Sequence, residues 1–548
     1  MNNELVDITG NTYPVRSALK AMGGSWNAAR RCWCVPADMA DEALSLVRGG
    51  KVAPAPADTA APAAPAVDWS AEQQAIFAWF QSGHGNLVVQ ARAGTGKTTT
   101  IKQAFSFAPE TGRLLYAVFN KKNQREAAEK ITDSRVEVRT LHSLGFYFIK
   151  NFWRDAKPDD NVEFDRLNRV YDGRLPLEVA GVVLRLVGFC KNLFVSVPSV
   201  NEVLEVIDAR DISVEDSMAE AFPDVRLAEL AIGVLRESLN RDALGRVSFN
   251  DMVWLPVAAG WVKPTFSLVV VDEAQDMNMP QLMMAERACQ VGGRICIVGD
   301  DRQAIYGFRG AVSDGMHLMK QRLNAAQLGL TITYRCPKSV VALAKEIVAD
   351  YSAAPAAPEG EVVQTTLSRA IEGLEVGDAV VSRLNAPLMG IALGLLRRGV
   401  AARIEGRDLG KQLVTMVKKL KAKSVPDFMK KLAKWGEKQQ ARVEALGGPY
   451  VESKVTLIQD QVMTLAAVAE GAESVDAIIA SITDLFGDIE NARREAVVCS
   501  SVHKAKGLEW GKVVLIAETF KNKDKSLEES NIYYVAVTRA KRSLVWAE

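Results

Sequence analysis

The chain has 548 residues, 48% of them hydrophobic, and a formal net charge of +1. That length buries several cores, about three to five structural units, and the near-neutral charge excludes a protein that coats polyanions with its whole surface while leaving room for a locally basic groove. Seven scattered cysteines and four histidines disfavour zinc ribbons, iron–sulfur clusters and a disulfide framework, and suit a reducing compartment.

Residues 1–50 read as a small α+β unit: a helix over 13–22, strands at Ser25-Trp26 and Cys32 to Val35 around the turn 27–31, and a second helix from Pro36 to Val47. Trp26 and Trp33 beside Arg30 and Arg31 offer stacking faces for nucleobases or a small core. Cys32-Trp33-Cys34 is the closest cysteine pair, and alternation of strand side chains predicts no metal role for it. Residues 51–67, rich in Ala and Pro, form a semi-extended tether.

Beyond the tether, apolar strands at 87–89, 114–119, 136–139, 268–271 and 295–298 alternate with helical stretches, which predicts a parallel, doubly wound sheet. Residues 142–249 turn helical, as an insert. A second α/β set begins near Leu328 with strands at 379–382, 402–404, 497–501 and 513–516, interrupted by a helical insert over about 409–492. Within that insert, residues 411–438 hold nine lysines against Asp427 and Glu437, a local charge of +7 that reads as a solvated face or a duplex-binding surface. No apolar run is long enough to span a bilayer and no cationic leader precedes one, so a cytoplasmic protein with no membrane partner is expected.

Two segments carry phosphate chemistry. Ala91-Arg92-Ala93-Gly94-Thr95-Gly96-Lys97-Thr98 follows a strand and opens a helix; such a turn aims backbone N–H groups and the helix dipole at phosphates, Lys97 adds a charge, and Thr98 a hydroxyl for Mg²⁺. Ala91 stands where the usual pattern has its first glycine. Asp272, at the end of its strand in Val271-Asp272-Glu273-Ala274-Gln275-Asp276, completes the Mg²⁺ shell, and Glu273 is placed to polarise the attacking water. The run 298–311 joins a γ-phosphate sensor candidate, Gln303, to the aromatics Tyr306 and Phe308 and to Arg309, groups suited to single-stranded nucleic acid. Tyr334 offers a face for adenine and Arg335 a guanidinium for phosphate. The segments 503–510 and 533–541 complete the set.

With these motifs in order from Gln73 to Lys541, the chain resembles a superfamily 1 helicase of the UvrD, PcrA and Rep type. The stretches Tyr116 to Lys121 and Arg139 to Gly145 look closest to the F-box helicase branch. The resemblance implies two RecA-like parallel-sheet domains of the P-loop NTPase class, each with a mainly helical insert: 1A at 68–145 and 248–325, insert 1B at 146–247, 2A at 326–408 and 495–548, and insert 2B at 409–494. It implies ATP held by Gln73, Ala93, Gly94, Thr95, Gly96, Lys97, Thr98, Thr99, Tyr334 and Glu509, with Arg335 and Arg539 reaching the γ-phosphate. It implies DNA along Phe119, Asn120, Thr140, His142, Tyr306, Phe308, Arg309 and His503.

The implied activity is ATP-driven, Mg²⁺-dependent translocation on single-stranded DNA, 3′ to 5′, with unwinding at single-strand/duplex junctions. The alternative is a DNA-stimulated ATPase that strips proteins without unwinding. A nucleoid-associated, bacterial or phage-encoded protein is expected, its N-terminal unit open to a protein partner, and no nuclease domain is expected after Arg539.

Overall fold

The computed structural model describes residues 5–9, 12, 19–20, 22, 24–27, 30, 32–47, 68–171, 173, 175–210, 212–214, 216–240, 245–305, 315–446, 451–486, 496–520 and 526–548. The tether 51–67, most of the helix expected over 13–22, and Tyr306, Phe308 and Arg309 lie outside them. Two compact units result, Met1–Trp69 and Ser70–Glu548.

In the first unit, β1 (Leu5–Ile8), β2 (Ser25–Asn27) and β3 (Cys32–Pro36) form an antiparallel sheet in the order β1-β3-β2, followed by the helix Ala40–Val47. Ile8, Leu19, Val35, Ala40 and Ala43 make its core, with Val6 and Trp33 packed against them. Strand side chains alternate, so Cys32 and Cys34, two positions apart, share the opposite face. Alternation thus puts the two sulfurs on the same side of the sheet, not on opposite sides, and the expectation of no shared role for them does not follow from it. Cys34 pairs in register with Asp7 on one side and Ser25 on the other.

The second unit opens with the helix Ala71–Ser82, whose Ser70/Gln73 capping box satisfies two N–H groups at its start. Next come β4 (Leu87–Ala91), β5 (Leu114–Val118) and β6 (Val136–Thr140). The helical insert follows, framed by the short pair β7 (Lys157–Pro158) and β8 (Arg246–Val247). β9 (Phe266–Val271), β10 (Cys289–Gly299) and β11 (Ala326–Leu330) then complete a six-stranded parallel sheet ordered β11-β4-β10-β9-β5-β6. Apolar residues bury both faces of β4, β5 and β9, as helices on both sides require. β11 was expected to start the second domain. It instead pairs with β4 over Ala326–Leu330, so the first sheet ends later than residue 325.

The second sheet follows the small pair β12 (Ile332–Thr333) and β13 (Ser352–Ala353). It contains β14 (Glu361–Thr365), β15 (Ala379–Ser382), β16 (Ala402–Ile404), β17 (Val497–Ser501), β18 (Trp510–Ile516) and β19 (Ala540–Ala547), ordered β14-β19-β18-β15-β17-β16 and parallel throughout. The second insert, the helices Arg407–Leu420, Val425–Leu446, Val451–Ala469 and Val475–Phe486, shares one core with this sheet: Phe428, Leu465 and Ile482 join Val380, Val497 and Val514. Asp460 accepts the backbone N–H groups of Asn385 (2.9 Å) and Ala386 (2.8 Å) at the start of the helix Ala386–Arg397, which fastens the insert to the sheet domain. Among the described residues, no helix is long and apolar enough to cross a membrane.

The first insert is held by a buried ionic knot. Asp251 accepts from Lys191 (2.6 Å) and Arg166 (2.6 Å), and all three side chains are nearly or fully buried. Burial would raise the Asp251 carboxyl, but the two cations outweigh it and hold it at about 2. Its contribution is therefore present above the ordinary carboxylate range and is lost as pH falls toward about 2. Among the described residues, Asp251→Ala leaves the buried Arg166 without a carboxylate and Lys191 with Glu163 alone (3.0 Å), and is expected to cost about 3–5 kcal/mol in urea unfolding; a loss below about 1 kcal/mol would show that the knot is dispensable.

Candidate nucleotide site between the two sheets

β4 runs out at Ala91 into a loop that turns on Gly94 (φ 71°) and Gly96 (φ 75°) before the helix Lys97–Ala104. Both glycines hold the left-handed conformation that residues with a Cβ resist. No side chain caps this helix, so its first N–H groups face outward for an anion. Gly94 has a second constraint: a Cβ there would collide with Arg335 and Thr333 of the second sheet domain.

β9 and β10 end beside this loop. Lys97 pairs with Asp272 (3.4 Å) and with Glu273. Glu273 sits at φ 55°, a conformation that costs a non-glycine residue roughly 1–3 kcal/mol and aims its carboxylate into the cavity. Burial would raise its pKa, but Lys97, then Lys506 and a hydrogen bond from Gln275, hold it at about 2. Burial would correspondingly lower the Lys97 ammonium, and Glu273 and Asp272 raise it instead.

These groups line a cavity of about 370 Å³. From the first sheet domain come Gly94 to Thr99, Tyr116, Asp272, Glu273 and Gln303; from the second, Arg335, Lys506 and Arg539. Arg539 is 1% exposed. Its guanidinium donates to the carbonyls of Val535 (2.8 Å) and Leu508 (3.1 Å) and to the Thr538 hydroxyl (3.1 Å), and among the described residues no carboxylate meets it. Burial and the like charge of Arg335 bring its pKa down to about 10. A buried cation without a counter-ion at a cavity wall is an anion site in waiting.

The other expected residues fall as follows. Ala93 is buried behind the loop. Tyr334 is 52% exposed and, with the Gln73 amide, flanks Gly96. The Gln73 carboxamide is already engaged, accepting from Ser70 N–H and donating to Thr100 Oγ1 (2.8 Å). Glu509 pairs with Arg335 and with Lys541 (3.4 Å). Phe119 and Asn120 line the same cavity, and Asn120 caps the helix Lys121–Lys130. Thr140 spends its hydroxyl on the N-cap of the helix Leu141–Phe152. His142 stacks on Phe249 at 3.9 Å and 17°, and burial lowers its pKa to about 4. His503 is half-buried on the short helix Val502–Ala505.

Sequence reasoning missed the groups that set these side chains in place. Tyr116 donates to Asp272 Oδ2 (2.6 Å) and fixes the carboxylate expected to meet Mg²⁺. Gln275 donates to Glu273 (2.6 Å) and accepts the Asp300 N–H (3.1 Å). Arg92 ties the loop to Asp300 (3.1 Å), to Asp301, and across to Asp350 (3.0 Å). Ala93 donates its N–H to Tyr534 Oη (3.0 Å) and accepts from Tyr351 Oη (2.8 Å), two hydroxyls of the second sheet domain. Lys506 crosses from that domain to Asp276 (2.6 Å) and to the Gln303 carbonyl. The only signal for most of them was their position inside motifs already singled out.

Residues 69–324 match the UvrD/REP helicase N-terminal domain and residues 496–546 the UvrD-like helicase C-terminal domain. Together the two matches span more than half of the chain, which belongs to the UvrD-type helicases of superfamily 1. Among curated relatives, a probable DNA helicase II homolog of Mycoplasma genitalium is 25% identical over 295 residues, covering 48% of this chain and 41% of that one. The ATP-dependent DNA helicase PcrA of Staphylococcus aureus is 25% identical over 289 residues (49% and 38%), and that of Bacillus subtilis 23% over 295 (49% and 38%). The match thus spans about two fifths of these relatives. Among solved structures, an arterivirus nonstructural protein 10 (helicase) aligns at 11% identity with a TM-score of 0.32, over 87% of this chain and 61% of that one, too distant to bear on the site.

Burial pushes Asp276 up to about 6, with Lys506 opposing and Glu273 reinforcing the shift. As pH falls through that value Asp276 takes up a proton and Lys506 loses a counter-charge across the domain boundary. ATP turnover is expected to show an acidic limb near that pH; Asp276→Asn is expected to remove the limb and lower neutral-pH turnover about tenfold. An unchanged limb would place the titration elsewhere.

Proposed function

We propose that the protein is an ATP-dependent DNA helicase that translocates 3′ to 5′ along single-stranded DNA and unwinds duplex at junctions. The observation that carries the reading is the convergence of Lys97 with Arg335 and Arg539, from opposite sheet domains, on one cavity that also holds Asp272 and Glu273. ATP entering there offers phosphates to the open N–H groups of the loop and competes with Asp272 and Glu273 for Lys97, which releases Glu273 to orient water. Thr98 and Asp272, with Tyr116 behind it, are the residues to hold Mg²⁺, which when bound neutralises charge developing on the phosphates. Arg335 and Arg539 draw the two sheet domains onto the γ-phosphate. Its loss on hydrolysis removes that attraction, and motion along DNA follows if the two states differ in affinity for the strand.

The path for DNA is proposed over Phe119, Asn120, Thr140, His142, Tyr306, Phe308, Arg309 and His503, with the half-exposed Phe249, stacked on His142, as an added aromatic face. Adenine stacking is proposed for Tyr334, and placement in the F-box branch rests on Tyr116 to Lys121 and Arg139 to Gly145. Eight of the nine lysines over 411–438 are exposed, on the helices Arg407–Leu420 and Val425–Leu446 and in the turn between them, which supports a duplex-binding role for them.

ATP turnover with and without single-stranded DNA tests the motor. Strong stimulation is expected, with Arg539→Ala lowering turnover by about 10³-fold or more and Lys97→Ala abolishing it while DNA affinity survives. Turnover indifferent to DNA would refute the reading. Tailed duplexes test polarity: a 3′ tail is expected to support unwinding, and unwinding from a 5′ tail alone would reverse the assignment. Clearance of bound protein without strand separation would favour the stripping ATPase. Neutralising four of the lysines is expected to reduce the salt dependence of duplex binding by about three to four units of log–log slope; an unchanged slope would leave them a solvated face.

A further inference from the structure

The N-terminal unit spends its apolar side chains on one face of its sheet. Ile8, Val35 and the partly buried Val6 and Trp33 all point to the helical side. Cys32 and Cys34 point the other way, yet they are 2% and 8% exposed. Among the described residues, neither belongs to the apolar cluster on the helical side, the usual reason to bury a cysteine. What they meet is a carboxylate: Asp7, the in-register partner of Cys34, accepts from its Sγ at 3.2 Å. The two sulfurs and an Asp7 oxygen lie within 4.8 Å of one another. Arg30 reaches the other Asp7 oxygen at 3.3 Å.

We propose that Asp7, Cys32 and Cys34 bind a borderline-soft divalent cation of the zinc class. Two thiolates and one carboxylate are a donor set that zinc accepts, with the fourth tetrahedral position left to water. The charges close as well. Two thiolates and a carboxylate carry three negative charges, the cation offsets two, and Arg30 the third. Binding releases the two thiol protons to solvent and changes no oxidation state. In a unit this small a metal adds cross-strand stability that its few core residues supply sparingly.

Reduced, metal-free full-length protein titrated with Co²⁺ tests the site. The expected result is one equivalent taken up per chain with a thiolate-to-cobalt charge-transfer band, displaced by Zn²⁺, and X-ray absorption of the zinc-loaded wild type showing two sulfur neighbours. Cys34→Ser is expected to weaken uptake about 100-fold and Asp7→Asn about tenfold, with ATP turnover unchanged in both. Wild-type protein that takes up no cobalt, or binds zinc without sulfur neighbours, overturns the proposal. So does a charge-transfer band that survives in the Cys32→Ser/Cys34→Ser double variant, since the ligands would then be other cysteines. The wild-type arms stand whether or not the variants fold.

Discussion

Arg539 brings a positive charge into the interior, where among the described residues it donates to two carbonyls and a hydroxyl and meets no carboxylate. These hydrogen bonds supply no counter-charge, and Arg335 adds like-charge repulsion. Under the proposed function, the dianionic terminal phosphate of ATP is the counter-charge that would meet both arginines at the cavity wall. Arg539 belongs to the second sheet domain and Lys97 to the first, so a phosphate bound by both, as proposed, would draw the domains together. The arrangement stores in one domain a demand for charge that is met only through the other.

A force between domains does work only if it is transmitted, and the contacts around the phosphate loop supply the means. Arg92 and Ala93 are gripped from the second domain by Asp350, Tyr351 and Tyr534, and Gly94 passes so close to Thr333 and Arg335 that no side chain fits. Lys506 adds a charged tie from the second domain to Asp276 and the Gln303 carbonyl. The loop proposed to hold phosphate is thus also a surface on which the second domain bears. The second insert is built as one body with its sheet domain, since Phe428, Leu465 and Ile482 share that domain's core and Asp460 accepts from the start of its helix Ala386–Arg397.

Much of this was legible in the chain. The phosphate loop, Asp272 and Glu273 declare themselves because their chemistry needs fixed residue types at fixed spacing after a strand, and both strands are where the apolar runs placed them. Arg335 shows in its own segment only as a guanidinium suited to phosphate, and Arg539 is reached through family resemblance alone, as an arginine's local sequence carries no sign of a partner far along the chain. Strand β11 was assigned to the wrong sheet because pairing partners, unlike strand residues, leave no local trace. β14 and β19 were overlooked: exposed residues interrupt the apolar pattern of β14, and β19 begins inside the motif that ends at Lys541. Tyr116, Gln275 and Lys506 were hidden for a related reason. Each acts by touching another functional side chain, a relation that exists only in three dimensions. Cys32 and Cys34 were discounted by applying alternation to adjacent positions rather than to residues two apart.

The proposed function requires that phosphate binding by residues from both domains change the grip on DNA. Its most direct test is the affinity for single-stranded DNA, at one salt concentration, in the nucleotide-free, ATP-analogue-bound and ADP-bound states of wild-type protein and of Arg539→Ala. The account predicts that affinity differs between the analogue and ADP states in the wild type, and that the difference collapses in the variant even where it still binds nucleotide. Equal affinities in all three wild-type states would contradict it.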